Sequence, residues 1–346
     1  MFDWKNFRKP IIALAPMAGV TDISFRQFVK SICPEVVVFT EFVSTNALFF
    51  RSEKTRKMME FDPELERPFI VQVFGADKDS FIYSCKCIEE LGADGIDINM
   101  GCPAAKIVSS CYGSGLMRKP ELAADLVKTA VDSVSIPVSV KTRLGWENSD
   151  DLIPFCKGLE DAGACALTIH GRTYKQKFEG ESDWNPIYDL KKEVSIPVIG
   201  NGDIASLEDA KDKLGNLDGI MVGRAAMGNP WLLREMCNFY FDESGNLKNK
   251  SSMTFEELSS AILTHCEIAV RHKGEERGIR EMRKHFCAYI RGFSGAKDLR
   301  IQLMDSDSLN DVKEILRKFA CTSGNKGIAY ASYNYLFFTN NFKCQK

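Results

Sequence analysis

The chain has 346 residues, of which 45% are hydrophobic and 27% are charged. This composition is ordinary for a globular protein and excludes a wholly disordered or fibrous chain. The apolar runs are too short for a membrane helix, and the amino terminus lacks the charged-then-apolar layout of an export signal. We therefore expect a cytoplasmic protein with no membrane partner, built as two domains or as one large barrel with an appendage.

Cysteine spacing and charge distribution further limit the kinds of site that the protein can contain. Twelve cysteines are scattered along the chain, and no two form the Cys-x-x-Cys pair typical of zinc ribbons and thioredoxin-like redox sites. We expect reduced core thiols and no metal. The net charge is −2, yet the residues from His265 onward carry 15 Lys and Arg against 9 Asp and Glu. This local excess is either a nucleic-acid surface or chance unevenness on a solvated helical face.

Eight short apolar segments, each bounded by turn residues, have the pattern of parallel strands buried on both faces. They are residues 11–17, 36–42, 69–75, 95–101, 136–143, 166–172, 196–202 and 219–225. Amphipathic stretches such as 77–91 and 120–134 lie between them. This alternation predicts a (β/α)8 TIM barrel. A doubly wound sheet is the alternative, but the first strand is not followed by its G-x-G-x-x-G turn.

The pattern changes near residue 245. Residues 245–252 are polar and read as a linker, and Thr254 with Glu257 matches a capping box that opens a helix. Helices are predicted over 255–271, 275–291 and 308–319. We therefore divide the chain into a catalytic barrel, residues 1–244, and a smaller all-helical domain, residues 245–346. The aromatic tail, residues 327–346, has no assignment.

Polar or reactive side chains follow the predicted strands, at the end where TIM barrels place their chemistry. They are Gln72, Asn99, Cys102, Lys141, Arg143, His170, Arg172, Asn201, Asp203 and Arg224. The turns after the last two strands also contain Gly202 and Gly223. Glycine lets backbone N–H groups approach an anion, so this pair of turns predicts a phosphate site to which Arg224 adds charge. Tight βα turns without a ligand also use glycine.

Several of these side chains allow more than one role. A lysine near the end of a buried strand, such as Lys141, is unfavourable unless an anion lies nearby. Lys141 could form a Schiff base or stabilise an anionic cofactor ring. Alternatively, its side chain extends past the strand end to solvent. His170 is either structural or part of the site. Cys102 lies in an exposed turn and is a nucleophile, a general acid or unreactive.

Taken in chain order, these residues form a set of motifs that resembles one family. The motifs are APMAGVTD (15–22), TE (40–41), QVFG (72–75), DINMGCP (97–103), KTR (141–143), HGRT (170–173), NGD (201–203), GRA (223–225) and RKH (283–285). Together they resemble the flavin-dependent tRNA-dihydrouridine synthases over about residues 8–320. The N-x-G-C-P and H-G-R pieces are the most specific.

The resemblance implies an FMN site on top of the barrel and tRNA as the partner. Pro16, Met17 and Ala18 would line the flavin ring, with Gln72, Lys141 and His170 around it. The ribityl phosphate would be held by Asn201, Gly202, Asp203, Gly223 and Arg224. NADPH would reduce the flavin, hydride would pass to C6 of a uracil, Cys102 would protonate C5, and Asn99 would contact the base. Lys141 would stabilise the reduced flavin.

The positive carboxyl-terminal segment would bind the RNA. Arg280 and Lys284 fall on one face of the helix predicted over 275–291, with acidic residues interleaved. The sequence departs from the family at residues 109–112, where Cys111 is a second candidate for the reactive thiol. Neither the modified uridine nor the oligomeric state follows from the sequence.

Three other functions remain open. A flavin barrel that acts on a small molecule would not need the positive helical segment. A barrel aldolase that uses Lys141 as a Schiff base would bind no flavin. A non-catalytic RNA-binding barrel would not need Cys102, Lys141 and His170 together.

Overall fold

The computed structural model of the protein describes residues 2–108, 110–242 and 253–323. They divide into two compact units. The first contains the residues up to Asp22 and then Pro34–Gly223, and the second contains Ile23–Cys33 and the chain from Arg224 onward. The boundary predicted between residues 244 and 245, the predicted linker and the tail lie outside the described residues.

The first unit is built around a parallel sheet. Its strands are β1 (Ile11–Leu14), β2 (Val38–Phe39), β3 (Val43–Ser44), β4 (Phe69–Phe74), β5 (Gly95–Asn99), β6 (Val138–Arg143), β7 (Leu167–His170), β8 (Val198–Asn201) and β9 (Gly219–Val222). The order is β1-β9-β8-β7-β6-β5-β4-β2, with β3 also pairing with β4. All eight predicted strands are present; the second contains only β2, and β3, which was not predicted, begins directly after it.

Two contacts bring this sheet close to a complete ring. β1 pairs with β9 in parallel, and Ala13 forms a parallel bridge with Val37 just before β2. At the β1–β9 pair, a Cβ on Gly219 would lie 2.3 Å from the carbonyl oxygen of Ile11, so only glycine allows these strands to pair. The predicted TIM barrel is confirmed.

The helices between and after the strands match the predicted alternation. They are α1 (Ile23–Ile32), α2 (Thr45–Phe49), α3 (Glu53–Lys57), α4 (Lys78–Leu91), α5 (Ala105–Val108), α6 (Pro120–Ser133), α7 (Leu152–Asp161), α8 (Asn185–Glu193), α9 (Leu207–Leu214), α10 (Arg224–Gly228), α11 (Trp231–Phe241), α12 (Phe255–Lys273), α13 (Glu275–Tyr289), α14 (Ala296–Met304) and α15 (Leu309–Ser323). A 3-10 helix covers Gly113–Arg118.

Local signals explain several helix ends. The Asp77 side chain accepts a hydrogen bond from the Ser80 N–H and caps α4, and Pro120 occupies the first turn of α6. The predicted capping box is confirmed: Thr254 accepts from the Glu257 N–H at 3.2 Å, and Glu257 accepts from the Thr254 N–H at 2.8 Å. Helix α14 was not predicted.

The core of the barrel is apolar at the amino ends of the strands. Trp4, from the segment before β1, is buried against Phe39, Ile70 and other side chains of the central cluster. Towards the carboxyl ends the inward-facing residues become polar, beginning with Gln72 and Asp97, which are paired in register on β4 and β5. Catalytic barrels place their reactive groups in this layer.

The helical unit has a buried aromatic cluster that contains two histidines. His265 on α12 lies 3.0 Å through Nδ1 from the hydroxyl of Tyr289. His285 on α13 is 2% exposed and stacks on Phe25 with ring centroids 5.2 Å apart. Its Nδ1 has no hydrogen-bond partner in the part of the chain that the structure describes. Burial, followed by the charges of His265, Lys284 and Lys273, holds the pKa of His285 well below its usual 6.5.

This burial predicts that acid destabilises the helical unit. His285 stays neutral in the folded state but takes up a proton below about pH 6.5 when unfolded. The free energy of unfolding is therefore highest above that pH and decreases as the pH falls below it. By pH 5.5 the loss amounts to about 1.4 kcal/mol. Urea unfolding of the wild type and of His285→Phe between pH 8 and 5.5 measures it. The variant should lose less stability than the wild type over this range; equal slopes for the two proteins would contradict the prediction.

Candidate active site

The carboxyl ends of β4 to β8 bring most of the predicted site residues side by side. Asn99 on β5 pairs in register with Lys141 on β6, and His170 on β7 pairs with Asn201 on β8. Gln72 lies on β4, two positions before that strand ends. Residues that are far apart in sequence therefore form one polar surface at the end of the barrel.

A chain of hydrogen bonds runs through this surface to the loop that contains the reactive cysteine. Gln72 Nε2 donates to Asp97 Oδ2 at 2.7 Å, and Asn99 Nδ2 donates to Gln72 Oε1 at 2.9 Å. Asn99 Oδ1 then accepts from the backbone N–H groups of Gly101, at 3.1 Å, and Cys102, at 2.9 Å. The backbone position of Cys102 is thus fixed by side chains from inside the barrel.

Asp97 was not among the predicted site residues. It is fully buried on β5, and Ser139 Oγ donates to its Oδ1 at 2.7 Å. Burial raises its pKa to about 6, opposed by the hydrogen bonds from Gln72 and Ser139 and by the charge of Lys141. The available signal was a carboxylate inside an apolar strand, two residues before Asn99 and therefore on the same side of the strand.

Lys141 is held close to β8. Its Nζ donates to Asn201 Oδ1 at 3.0 Å, while Asn201 Nδ2 donates to the Met221 carbonyl at 2.8 Å. Burial, followed by the charge of Arg143, lowers the pKa of Lys141 to about 8, and the charge of Asp97 opposes both. The ammonium group is therefore still mostly protonated at neutral pH and lies in poorly solvated surroundings.

The Cys102 thiol is protonated at neutral pH. Burial raises its pKa above the usual 9.0, opposed by the N–H of Ala104 and the charge of Arg143. Arg143 also braces this end of the barrel, because its Nε donates to the Gly101 carbonyl at 2.7 Å and its Nη1 to the Lys177 carbonyl at 2.7 Å. A protonated thiol in a fixed loop is suited to donate a proton.

Cys111 lies on the same connection but in different surroundings. It has a left-handed backbone, with φ 58°, and lines a cavity of about 170 Å³ together with Arg118, Lys119 and Trp146. Ser109, from the segment that departs from the family pattern, lies outside the described residues.

The two glycine turns end β8 and β9. Gly202 has φ 130°, and a Cβ there would lie 2.9 Å from Ser182 Cβ. The nearest atoms to a Cβ on Gly223 would be Ala15 Cβ at 3.7 Å and Met17 Sδ at 4.0 Å. The turn 16–18, predicted to line a flavin ring, therefore lies beside Gly223.

Other predicted residues in this region already have partners. The Asp203 carboxylate accepts from Arg172 Nη2 at 2.6 Å and from the Ser182 N–H at 2.8 Å. His170 Nε2 lies 3.4 Å from Arg172 Nη1. Arg224 follows Gly223 directly and opens α10, which belongs to the helical unit.

The predicted RNA-binding residues lie on α13. Arg280 is exposed, and its Nη1 is 3.9 Å from a carboxylate oxygen of Glu276. Glu281, one of the acidic residues interleaved on this helix, accepts from Lys273 at 2.7 Å and from Arg277 at 2.8 Å, so part of the positive charge is neutralised as expected. Lys284 lies one helical turn beyond Arg280.

None of the helices in the described ranges is long and apolar enough to cross a membrane.

Comparison with known proteins identifies the family. The family model described as dihydrouridine synthase matches residues 13–323. A probable tRNA-dihydrouridine synthase of Synechocystis is 38% identical over 89% of this chain and 86% of its own length. The tRNA-dihydrouridine synthase B of Pseudomonas aeruginosa is 35% identical over 93% of this chain and 96% of its own.

Among solved structures, an old yellow enzyme homologue from Zymomonas mobilis aligns with 70% of this chain and 92% of its own, at 13% identity and a TM-score of 0.49. By the family match and the two relatives, the chain belongs to the dihydrouridine synthase family of flavin-dependent oxidoreductases.

Proposed function

We propose that this chain reduces the C5=C6 bond of uridines in tRNA to 5,6-dihydrouridine, with FMN as its flavin and NADPH as its reductant. The curated relatives are named for dihydrouridine synthesis in tRNA. The hydrogen-bond chain from Asp97 to the Cys102 backbone carries the proposal, because it fixes the loop of a protonated thiol at the strand ends where Lys141 and Asn201 also lie. A tRNA substrate also leads us to propose a cytoplasmic location.

The residues at the strand ends fit a flavin phosphate and ring. Backbone N–H groups at glycine turns bind oxyanions, and we assign Gly202, Gly223 and Arg224 to the phosphate. The Asp203 carboxylate is held by Arg172, so we assign only its backbone to this group. The ring would lie among Pro16, Met17, Ala18, Gln72, Lys141 and His170, with Asn201 orienting Lys141.

The reaction divides between the cofactor and the protein. When bound, the flavin supplies a hydride to C6 of the uracil. Cys102 donates its proton to C5, and the resulting thiolate regains a proton from solvent. Its raised pKa keeps the thiol protonated before the reaction. Asn99 holds the Cys102 loop and contacts the base, which has to leave its stack at a cost of a few kcal/mol.

Bound FMN is the first test. The purified protein should be yellow and release FMN on denaturation. Gly202→Ala should weaken flavin binding, because its Cβ would press on Ser182 and the backbone there has φ 130°. Gly158→Ala, on α7 with no atom within 4 Å of its Cβ, is the matched control and should retain the cofactor. Titration of the apoproteins with FMN measures both. Colourless wild-type protein that cannot be reconstituted would refute the assignment.

Cys102→Ala should separate the two half-reactions. Loss of the proton donor should slow dihydrouridine formation by about 10²- to 10⁴-fold, the usual contribution of a general acid. Flavin content and NADPH oxidation should stay unchanged, since neither uses the thiol. Cys111→Ala is the control and should form product at the wild-type rate. If Cys102→Ala does so as well, another group donates the proton.

The α13 face can be tested by its salt dependence. Each phosphate that a cation neutralises contributes about 0.7 to 0.9 to the slope of log affinity against log salt. Reversing Arg280 and Lys284 to Glu should therefore weaken tRNA binding and flatten the slope by roughly one to two. Lys128→Glu with Lys192→Glu, on the barrel helices α6 and α8, makes the same change in net charge and should have little effect. An unchanged slope in the α13 variant would place tRNA recognition elsewhere.

A further inference from the structure

An exposed aromatic side chain surrounded by cations lies outside the site described above. Phe50, between α2 and α3, is 80% exposed, the highest value for a large hydrophobic side chain in the described ranges. Arg51 follows it directly, and Lys54, Arg56 and Lys57 lie on α3. All four cations are exposed. We call these five residues the Phe50 surface.

The cations of the Phe50 surface have no anionic partner among the described residues. Within the part of the chain that the structure describes, no carboxylate forms an ion pair with any of the four, and Glu53 is the only acidic residue among them. Some exposed lysines elsewhere on the barrel do have such partners, such as Lys128 with Asp132 at 3.0 Å and Lys192 with Asp189 at 2.7 Å. The surface therefore carries a local positive charge that nearby side chains do not neutralise.

Hydrogen bonds fix the two helices on either side of Phe50. Ser44 caps α2 and Ser52 caps α3, each accepting a bond from a backbone N–H. Ser80 Oγ donates to Thr45 Oγ1 at 3.1 Å, which ties α2 to α4. Phe49 packs edge-on against Phe50, with ring centroids 5.5 Å apart. A preorganised aromatic side chain loses little conformational entropy when it binds a partner.

The Phe50 surface lies at the catalytic end of the barrel. Helix α2 begins at Thr45, immediately after the carboxyl end of β3, and Cys102 follows the carboxyl end of β5. Asn46 Nδ2 on α2 donates to the Tyr112 hydroxyl at 3.2 Å, so a side-chain bond links α2 to the connection that carries Cys102.

We propose that the Phe50 surface is a second RNA-binding site, which holds a nucleotide of the substrate other than the uridine that is reduced. A base stacks on the Phe50 ring, and the neighbouring phosphates contact Arg51, Lys54, Arg56 and Lys57. Aromatic side chains combined with a cationic track are the usual chemistry of single-stranded or loop RNA binding. The inference rests on the proposed function, because it takes the substrate to be an RNA.

Two variants of the full-length flavoprotein test the surface with unmodified tRNA. Phe50→Ala should weaken binding about fivefold or more, the loss of one base stack. Lys54→Gln with Lys57→Gln should flatten the salt slope by roughly 1.4 to 1.8, the loss of two phosphate contacts. Leu91→Ala, at an exposed apolar residue of α4, is the control for Phe50→Ala. Lys128→Gln with Lys192→Gln is the control for the double lysine variant. Both controls should bind tRNA as the wild type does. Flavin content and NADPH oxidation should not change in any of them.

The outcomes separate this inference from the proposed function. Wild-type enzyme that forms dihydrouridine, with Phe50 and Lys54/Lys57 variants that bind tRNA at wild-type affinity and slope, overturns the second site alone. Wild-type enzyme that neither binds nor reduces tRNA overturns the proposed function and the second site with it. If Phe50→Ala changes the sedimentation coefficient but not RNA binding, the surface joins two copies of the chain, and the inference is wrong.

Discussion

The active end of the barrel depends on one buried carboxylate. Asp97 is enclosed by the strands, where an ionised group is stable only if hydrogen bonds and a counter-charge replace water. A carboxylate can only accept hydrogen bonds, so Gln72 has to turn its NH2 group towards Asp97 and its oxygen towards Asn99. Asn99 then has to donate to Gln72 and presents its own oxygen to the N–H groups of Gly101 and Cys102. One charge therefore sets the direction of the whole chain.

The same carboxylate acts on Lys141 through space. Its charge raises the lysine pKa against burial and against Arg143, so the ammonium group remains largely protonated at neutral pH. An anionic cofactor ring would find a cation there that has little water around it, and the interaction is stronger for that reason. Asp97 therefore both positions the Cys102 loop, through hydrogen bonds, and keeps Lys141 charged, through its own charge.

The fold could be predicted largely from the sequence, because each buried strand is a short apolar run between turns and TIM barrels place polar residues at one end. The short β3 after β2 was not predicted, although the polar pair Thr40-Glu41 already interrupts the apolar residues of 36–42. Asp97 was missed because strand periodicity shows which face a residue takes, not which partners stabilise it. His285 was read as part of a basic motif, but it is a buried ring stacked on Phe25. The site roles themselves remain predictions.

The membership of α1 in the helical unit has a consequence for how the protein is made. Helix α1 leaves the ribosome directly after β1, but its partner α12 follows only after all of Pro34–Gly223 has been synthesised. Domains usually fold as units while they emerge. Here α1, which connects the first two strands, packs against helices that are synthesised only in the last third of the chain. The barrel with all its helices can therefore not finish folding before that part has been synthesised. A fragment cut at Gly223 would leave uncovered the face of α1 that packs against α12, and apolar surface exposed in this way makes a chain prone to aggregation.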